Sequence, residues 1–207
     1  MDEYRTDRKP VNFASLVAEM MPQLPGANPP YIRRVLHDRL QELCEETWCW
    51  EEHTPSISIK AGEQRYPIPM RYDARVLFIH AVVLAGRVLK PRDFQPLIDD
   101  ADAPCVVLHR APVRDEKHAL QFHIALSPLA PCENFPDGFL EKHRRTLVAG
   151  TLATLMMEEA KPYANRTGAE LNRHTWDKGV YECNARRRVG DTTQQLSALT
   201  TSWLPEF

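Results

Sequence analysis

Three potential metal ligands, Cys44, Cys49 and His53, lie within ten residues of one another. Thiolates and imidazoles are ligands that zinc prefers, and a structural zinc site normally holds four of them. Only three are local here, and side chains five positions apart on a helix diverge by about 140°. We therefore expect no metal site and no cofactor, and interpret the two cysteines as small core residues beside an exposed histidine.

The middle of the chain carries residues that could perform acid–base chemistry. They are His80, His109, His118 and His123, with Asp73, Asp99, Asp100, Asp102 and Asp115 nearby in sequence. A positioned imidazole–carboxylate pair can transfer a proton, but no GxSxG, HExxH or P-loop motif accompanies these residues. We predict no catalytic residue and no enzyme activity, and interpret the histidines as facing solvent or a neighbouring subunit.

A basic cluster lies near the C-terminus. It consists of Arg173, Lys178, Arg186, Arg187 and Arg188, with Arg166 upstream. These side chains could form a solvated helix face, pair with carboxylates of a protein partner or contact DNA. We favour protein contact, because each phosphate clamp adds affinity and salt dependence that would hinder sliding DNA.

Composition excludes several classes of protein. A net charge of −2 and a pI near 6.4 give no global field for nucleic acid, although local basic patches remain possible. No run approaches the ~18 apolar residues that cross a bilayer, and the charged N-terminus is unlike a signal peptide. The five cysteines are odd in number and lack a CxxC pair, so a disulfide framework is not expected.

The elements that must position these residues follow from periodicity. Residues 1–10 are predicted to be a mobile arm, and residues 11–54 to form N-terminal helices with Leu40 in the core, because apolar side chains recur there at spacings of three and four. Trp48 and Trp50 cannot share one helix face, and we place Trp48 in the core.

After Pro55 the period changes to two. We predict a small antiparallel β insertion over residues 55–127, including a hairpin of Cys105–Arg110 with Leu120–Leu126. Residues 136–188 should form C-terminal helices with Leu147 in the core. Residues 189–207 show no helical pattern and are predicted to be an extended tail. The expected fold is α+β and mainly helical: an α-helical bundle, forming one structural domain with an inserted β domain and this tail.

Two segments carry a family resemblance, EETWCWEEHTPSISIKAGEQRYPIP and FLEKHRRTLVAGTLATLMMEEAKPYANRTGAELNRHTWDKGVYE. The first runs from a helix through a tryptophan pair and a polar hinge into a hairpin, and the second resembles a pair of long helices. In this order, over about the whole chain, they resemble the head-to-tail connector (adaptor) proteins of tailed bacteriophages.

The resemblance implies a structural virion protein, assembled in the host cytoplasm and located in the neck of the particle. Its partners would be the portal protein dodecamer, neighbouring adaptor copies in a ring of twelve, the next tail component, and duplex DNA that passes through without sequence recognition. The resemblance implies that residues 189–207 bind the portal, and we assign Trp203, Leu204 and Phe207 as its anchors. The alternatives are a DNA-binding or packaging accessory protein and a virion-associated cell-wall hydrolase.

Overall fold

The computed structural model describes residues 11–98, 103–129, 132 and 135–201, with side chains as far as residue 187. Two compact units divide the chain. The helical unit comprises Met1–Thr47 and Cys132–Phe207, and the β unit comprises Trp48–Pro131. The predicted mobile arm, residues 1–10, lies outside the described residues.

The helical unit contains α1 (Phe13–Met20), α2 (Pro29–Thr47), α3 (Phe139–Met156) and α4 (Arg166–Thr201). The start of α1 is fixed by a capping box, in which Asn12 Oδ1 accepts a hydrogen bond from the Ser15 backbone N–H at 2.9 Å. The inward stripe of α2 includes Leu36, Leu40 and Leu43, all without solvent exposure. Leu147 on α3 is equally buried.

Close contacts hold α3 and α4 together as an antiparallel pair. The Met156 sulfur lies 3.8 Å from the Asn172 amide nitrogen, and the His143 Nδ1 lies 3.7 Å from the Cys183 sulfur. Between these contacts each helix presents a glycine to the other. A Cβ on Gly150 would overlap the Trp176 indole, and one on Gly179 would overlap the Thr146 side chain. The two backbones therefore approach more closely than larger residues would allow.

The β unit contains two antiparallel sheets. Its strands are β1 (Glu51–His53), β2 (Ile57–Ile59), β3 (Arg65–Pro67), β4 (Ala74–Leu84), β5 (Arg87–Val88), β6 (Phe94–Leu97), β7 (Cys105–Leu108) and β8 (Glu116–Pro128). In the larger, curled sheet, β8 pairs with β1, β2 and β4, and β4 also pairs with β5. Val82 lies opposite Phe122 and Ile79 opposite Ile124, and all four side chains are buried.

The predicted hairpin of Cys105–Arg110 with Leu120–Leu126 is wrong, because the first of these segments belongs to the smaller sheet. Instead of pairing with β8, β7 lies between β3 and β6 in this second sheet. The strand β6 contains Pro96 and pairs with β7 on the side opposite β3. Proline is tolerated there because β6 is at the sheet edge.

The predicted fold class is wrong. Helix accounts for 43% and strand for 25% of the structure, so the protein is not a mainly helical bundle with a small β insertion. Three of the strands contain only three residues each. The first of them, β1, has the sequence Glu-Glu-His and shows no alternating pattern, so the sequence underestimates the sheet content.

The predicted extended tail is also corrected, because α4 continues to Thr201. Residues 189–201 contain Gly190 and lack an apolar stripe, which led to the prediction of an irregular chain. Extending an existing helix avoids the cost of nucleation, so a weakly patterned segment can continue a strong helix. Residues 202–207, with Trp203, Leu204 and Phe207, lie outside the described residues.

Candidate interaction surfaces

The length of α4 is the most distinctive feature of the helical unit. His143 on α3 lies beside Cys183 on α4, so in an antiparallel pair the first residue of α3, Phe139, comes opposite about residue 187. The remaining residues of α4, 188–201, would extend about 21 Å further at 1.5 Å per residue. No residue of α3 lies opposite this part of the helix, which we call the α4 extension.

The basic residues of α4 do not form one uniform surface. The Arg166 guanidinium lies 3.5 Å from the Glu170 carboxylate, and the Lys178 amine lies 4.0 Å from that of Glu182. Both pairs are four residues apart and exposed, so each contributes little to stability. They do, however, balance two of the positive charges that the sequence suggested were available to a partner.

The other cations of the predicted cluster have separate environments. Arg173 lines a groove between α2, α3 and α4. Burial is the main cause that lowers the pKa of His143, and the charges of Lys142 and Arg186 add to it. Arg187 is half-buried, and the side chain of Arg188 lies outside the described part of the molecule. The structure therefore does not bring the four described members of this cluster, Arg173, Lys178, Arg186 and Arg187, together in one environment.

The groove beside Arg173 has a volume of about 870 Å³. Trp176 lines it, and the Arg39 guanidinium lies 5.9 Å from the centroid of that ring. Burial raises the pKa of Glu42, although the Arg39 guanidinium, 2.7 Å away, opposes this shift. Met157 and Tyr181, 53% and 73% exposed, also line the groove. Exposed apolar side chains beside charged ones are typical of protein-binding surfaces.

The buried indole is Trp50, not Trp48 as predicted. Trp50 has no solvent exposure, and its indole N–H donates a hydrogen bond to the Glu52 carboxylate at 2.9 Å. Trp48 is half-buried and stacks on Phe78 with ring centroids 4.2 Å apart. Its φ of 53° lies in the left-handed region directly after α2 ends. This reversal of the backbone, which helical periodicity does not reveal, decides which indole enters the core.

A histidine cluster lies on the larger sheet. The rings of His53 and His123 stack at 4.3 Å, and His80 lies 4.9 Å from His123. Glu51 provides the carboxylate, with one oxygen 3.1 Å from His123 Nε2 and the other 3.9 Å from His80 Nε2. The structure thus brings together two of the four predicted histidines, and adds His53 and Glu51 through β1.

Two of the carboxylates predicted near these histidines have other roles, and Asp99, Asp100 and Asp102 lie outside the described residues. Asp73 is bound by the Arg71 guanidinium at 3.0 Å, and Asp115 accepts a hydrogen bond from the Ala61 backbone N–H at 2.7 Å. His109 contacts the Arg92 carbonyl oxygen. Glu51 and His53 are two positions apart, so their side chains lie on the same face of β1, which pairs with β8. A strand of only three residues gave no sequence signal for this arrangement.

Within the described residues, no group of three or more His, Cys, Asp or Glu side chains is arranged to hold a metal ion. In the same part of the chain, no helix combines the length and the hydropathy needed to span a membrane. No protein-family model matches the sequence, and no curated protein is significantly similar to it.

Proposed function

We propose that this protein is the adaptor of a tailed bacteriophage, which forms a ring between the capsid portal and the tail and lets the genome pass. The resemblance of the two quoted segments supports this function. The observation that carries it is the α4 extension, because residues 188–201 continue the helix beyond its intramolecular partner α3.

The α4 extension continues a packed helix and so avoids the nucleation cost, but α3 gives it no tertiary packing. Isolated helices of about 12–15 residues are marginal in water, and most helical stability in proteins comes from tertiary packing. The α4 extension has about that length and contains Gly190 and several threonines, which are weak helix formers. A surface of another protein would therefore supply the packing that α3 does not.

In this proposal the portal provides that surface. Trp203, Leu204 and Phe207 follow the α4 extension directly in sequence, and large apolar side chains are the usual anchors of an interface. Twelve weak anchors on one ring would act multivalently, so each could be modest while the joint hold is strong. The free protein would then be largely monomeric and would form the ring on the portal.

The groove at Trp176 would contribute contacts between neighbouring copies. Its rim presents carboxylates and guanidinium groups together, including Glu46, Asp177 and Arg173. Surfaces of mixed charge set the register of an interface more than its affinity. This division gives α4 two roles, with residues 166–187 facing the ring and the α4 extension facing the portal.

Two variants test the portal contact. The triple substitution Trp203→Ser, Leu204→Ser and Phe207→Ser should leave the thermal unfolding of the chain unchanged and abolish co-sedimentation with portal dodecamers. The matched control, Pro205→Ala with Glu206→Gln, changes the same segment and keeps the anchors, so it should bind as the natural chain does. Equal portal binding by both variants would refute the assignment of the anchors.

A further inference from the structure

A basic cleft lies in the β unit beside the turn Pro91–Asp93. It has a volume of about 710 Å³, and four cationic side chains line it, namely Arg87, Lys90, Arg92 and Arg110. All four are exposed. Among the described residues of the lining, Asp93 is the one carboxylate, and its Oδ2 accepts a hydrogen bond from the Lys90 backbone N–H at 3.1 Å.

The four cations form no ion pair with any carboxylate of the described residues. This contrasts with α4, where Arg166 and Lys178 each have an acidic neighbour. The whole chain carries a net charge of −2, so the positive charge of the cleft is a local excess. Uncompensated cations in a cleft raise the local concentration of anions.

The backbone that carries these cations is well fixed. His109 Nδ1 lies 2.7 Å from the Arg92 carbonyl oxygen, and the His109 backbone N–H donates to the Asp93 carbonyl at 3.0 Å. Because a carbonyl oxygen can only accept a hydrogen bond, Nδ1 carries the proton in this contact, and Nε2 remains available to other groups. The turn Pro91–Asp93 is thereby tied to the end of β7, so the cleft does not depend on a loose loop.

We propose that this cleft binds phosphates of the backbone of duplex nucleic acid, without reading its sequence. Three of its four cations are arginines, whose planar guanidinium groups match phosphate geometry and are always charged. The choice of duplex DNA over other polyanions rests on the proposed function, in which the genome passes through the adaptor ring. Contacts between exposed cations and phosphates are electrostatic and carry no sequence information.

The cleft can be tested by salt-dependent binding of a fluorescent 24-base-pair duplex to the full chain. The cleft variant carries Arg87→Gln, Lys90→Gln, Arg92→Gln and Arg110→Gln. The charge-matched control carries Arg166→Gln, Arg173→Gln, Lys178→Gln and Arg186→Gln, which removes the same number of positive charges from α4. Thermal unfolding of both variants establishes that each is folded.

If all four cations contact phosphates, the slope of log affinity against log salt should be shallower by about 3.6 in the cleft variant than in the natural chain. Raising the salt from 50 to 200 mM would then weaken the natural chain about 150-fold more than the cleft variant. The control should keep the slope of the natural chain.

Three results would overturn the proposal. Equal slopes for the natural chain and the cleft variant would show that the cleft does not bind DNA, and equal losses in both variants would show that only net charge matters. The third result concerns a polyglutamate peptide with the same charge as the duplex. If it binds as tightly as the duplex and its binding depends on the cleft, the ligand is an acidic protein segment. Portal co-sedimentation is measured separately, so failure of the cleft is distinguishable from failure of the adaptor function.

Discussion

Replacing Gly179 with alanine tests the packing of α3 against α4, because the sign of the resulting change in stability depends on how closely the two helices approach. In an exposed helix, a glycine-to-alanine change stabilises by about 1 kcal/mol because alanine has the higher helix propensity. Here the new Cβ would overlap the Thr146 side chain, including its Cβ, which cannot move without the α3 backbone. Overpacking of this kind costs about 1–3 kcal/mol.

The two opposing contributions predict that Gly179→Ala lowers the free energy of unfolding by up to about 2 kcal/mol. For a chain of this size, the melting temperature would fall by up to about 4–8 °C. Chemical and thermal unfolding would measure it. In a Thr146→Ala background two of the three overlapping atoms are absent, so Gly179→Ala should cost at least about 1 kcal/mol less there. A rise in melting temperature for the single variant would refute the close approach of the two helices.

Two further predictions concern the indoles and pH. Trp50→Ala should cost about 3–5 kcal/mol of unfolding free energy, as expected for a buried aromatic. Trp48→Ala should cost much less, because its ring is half-buried. Similar losses in the two variants would contradict the assignment of Trp50 as the core indole. Burial lowers the pKa of His143 to about 4. Since its unfolded value is about 6.5, the unfolded state binds more protons, and stability should fall by up to about 3 kcal/mol as the pH drops from 6.5 to 4. Urea unfolding of His143→Phe should show a smaller loss of unfolding free energy over that pH range. The variant His174→Gln, at an exposed histidine, serves as the control. A pH dependence in His143→Phe equal to that of the natural chain would contradict the prediction.

The sequence predicts helices where apolar periodicity is long and regular. The stripe of α2 and the inward position of Leu147 follow from spacings of three and four, and the structure buries these side chains. The α4 extension could not be predicted in this way, because residues 189–201 have no apolar stripe and the helix there continues from residues that do pack.

The β unit shows a different limit. The interior of β4 and β8 is visible as runs of apolar and β-branched residues, whereas β1 has the sequence Glu-Glu-His and becomes a strand only through its pairing with β8. The Glu51–His123 pair and the basic cleft depend on such long-range pairing, with cleft residues 23 positions apart between Arg87 and Arg110. No local pattern indicates which distant cations share a cleft.

The proposed adaptor function is tested most directly by imaging the full chain mixed with purified portal dodecamers encoded by the same genome. We expect a ring of twelve copies on one face of the portal, with the C-terminal end of α4 against the portal surface. Portals that remain bare at protein concentrations well above micromolar, or chains that bind them singly and without a ring, would contradict the proposed function.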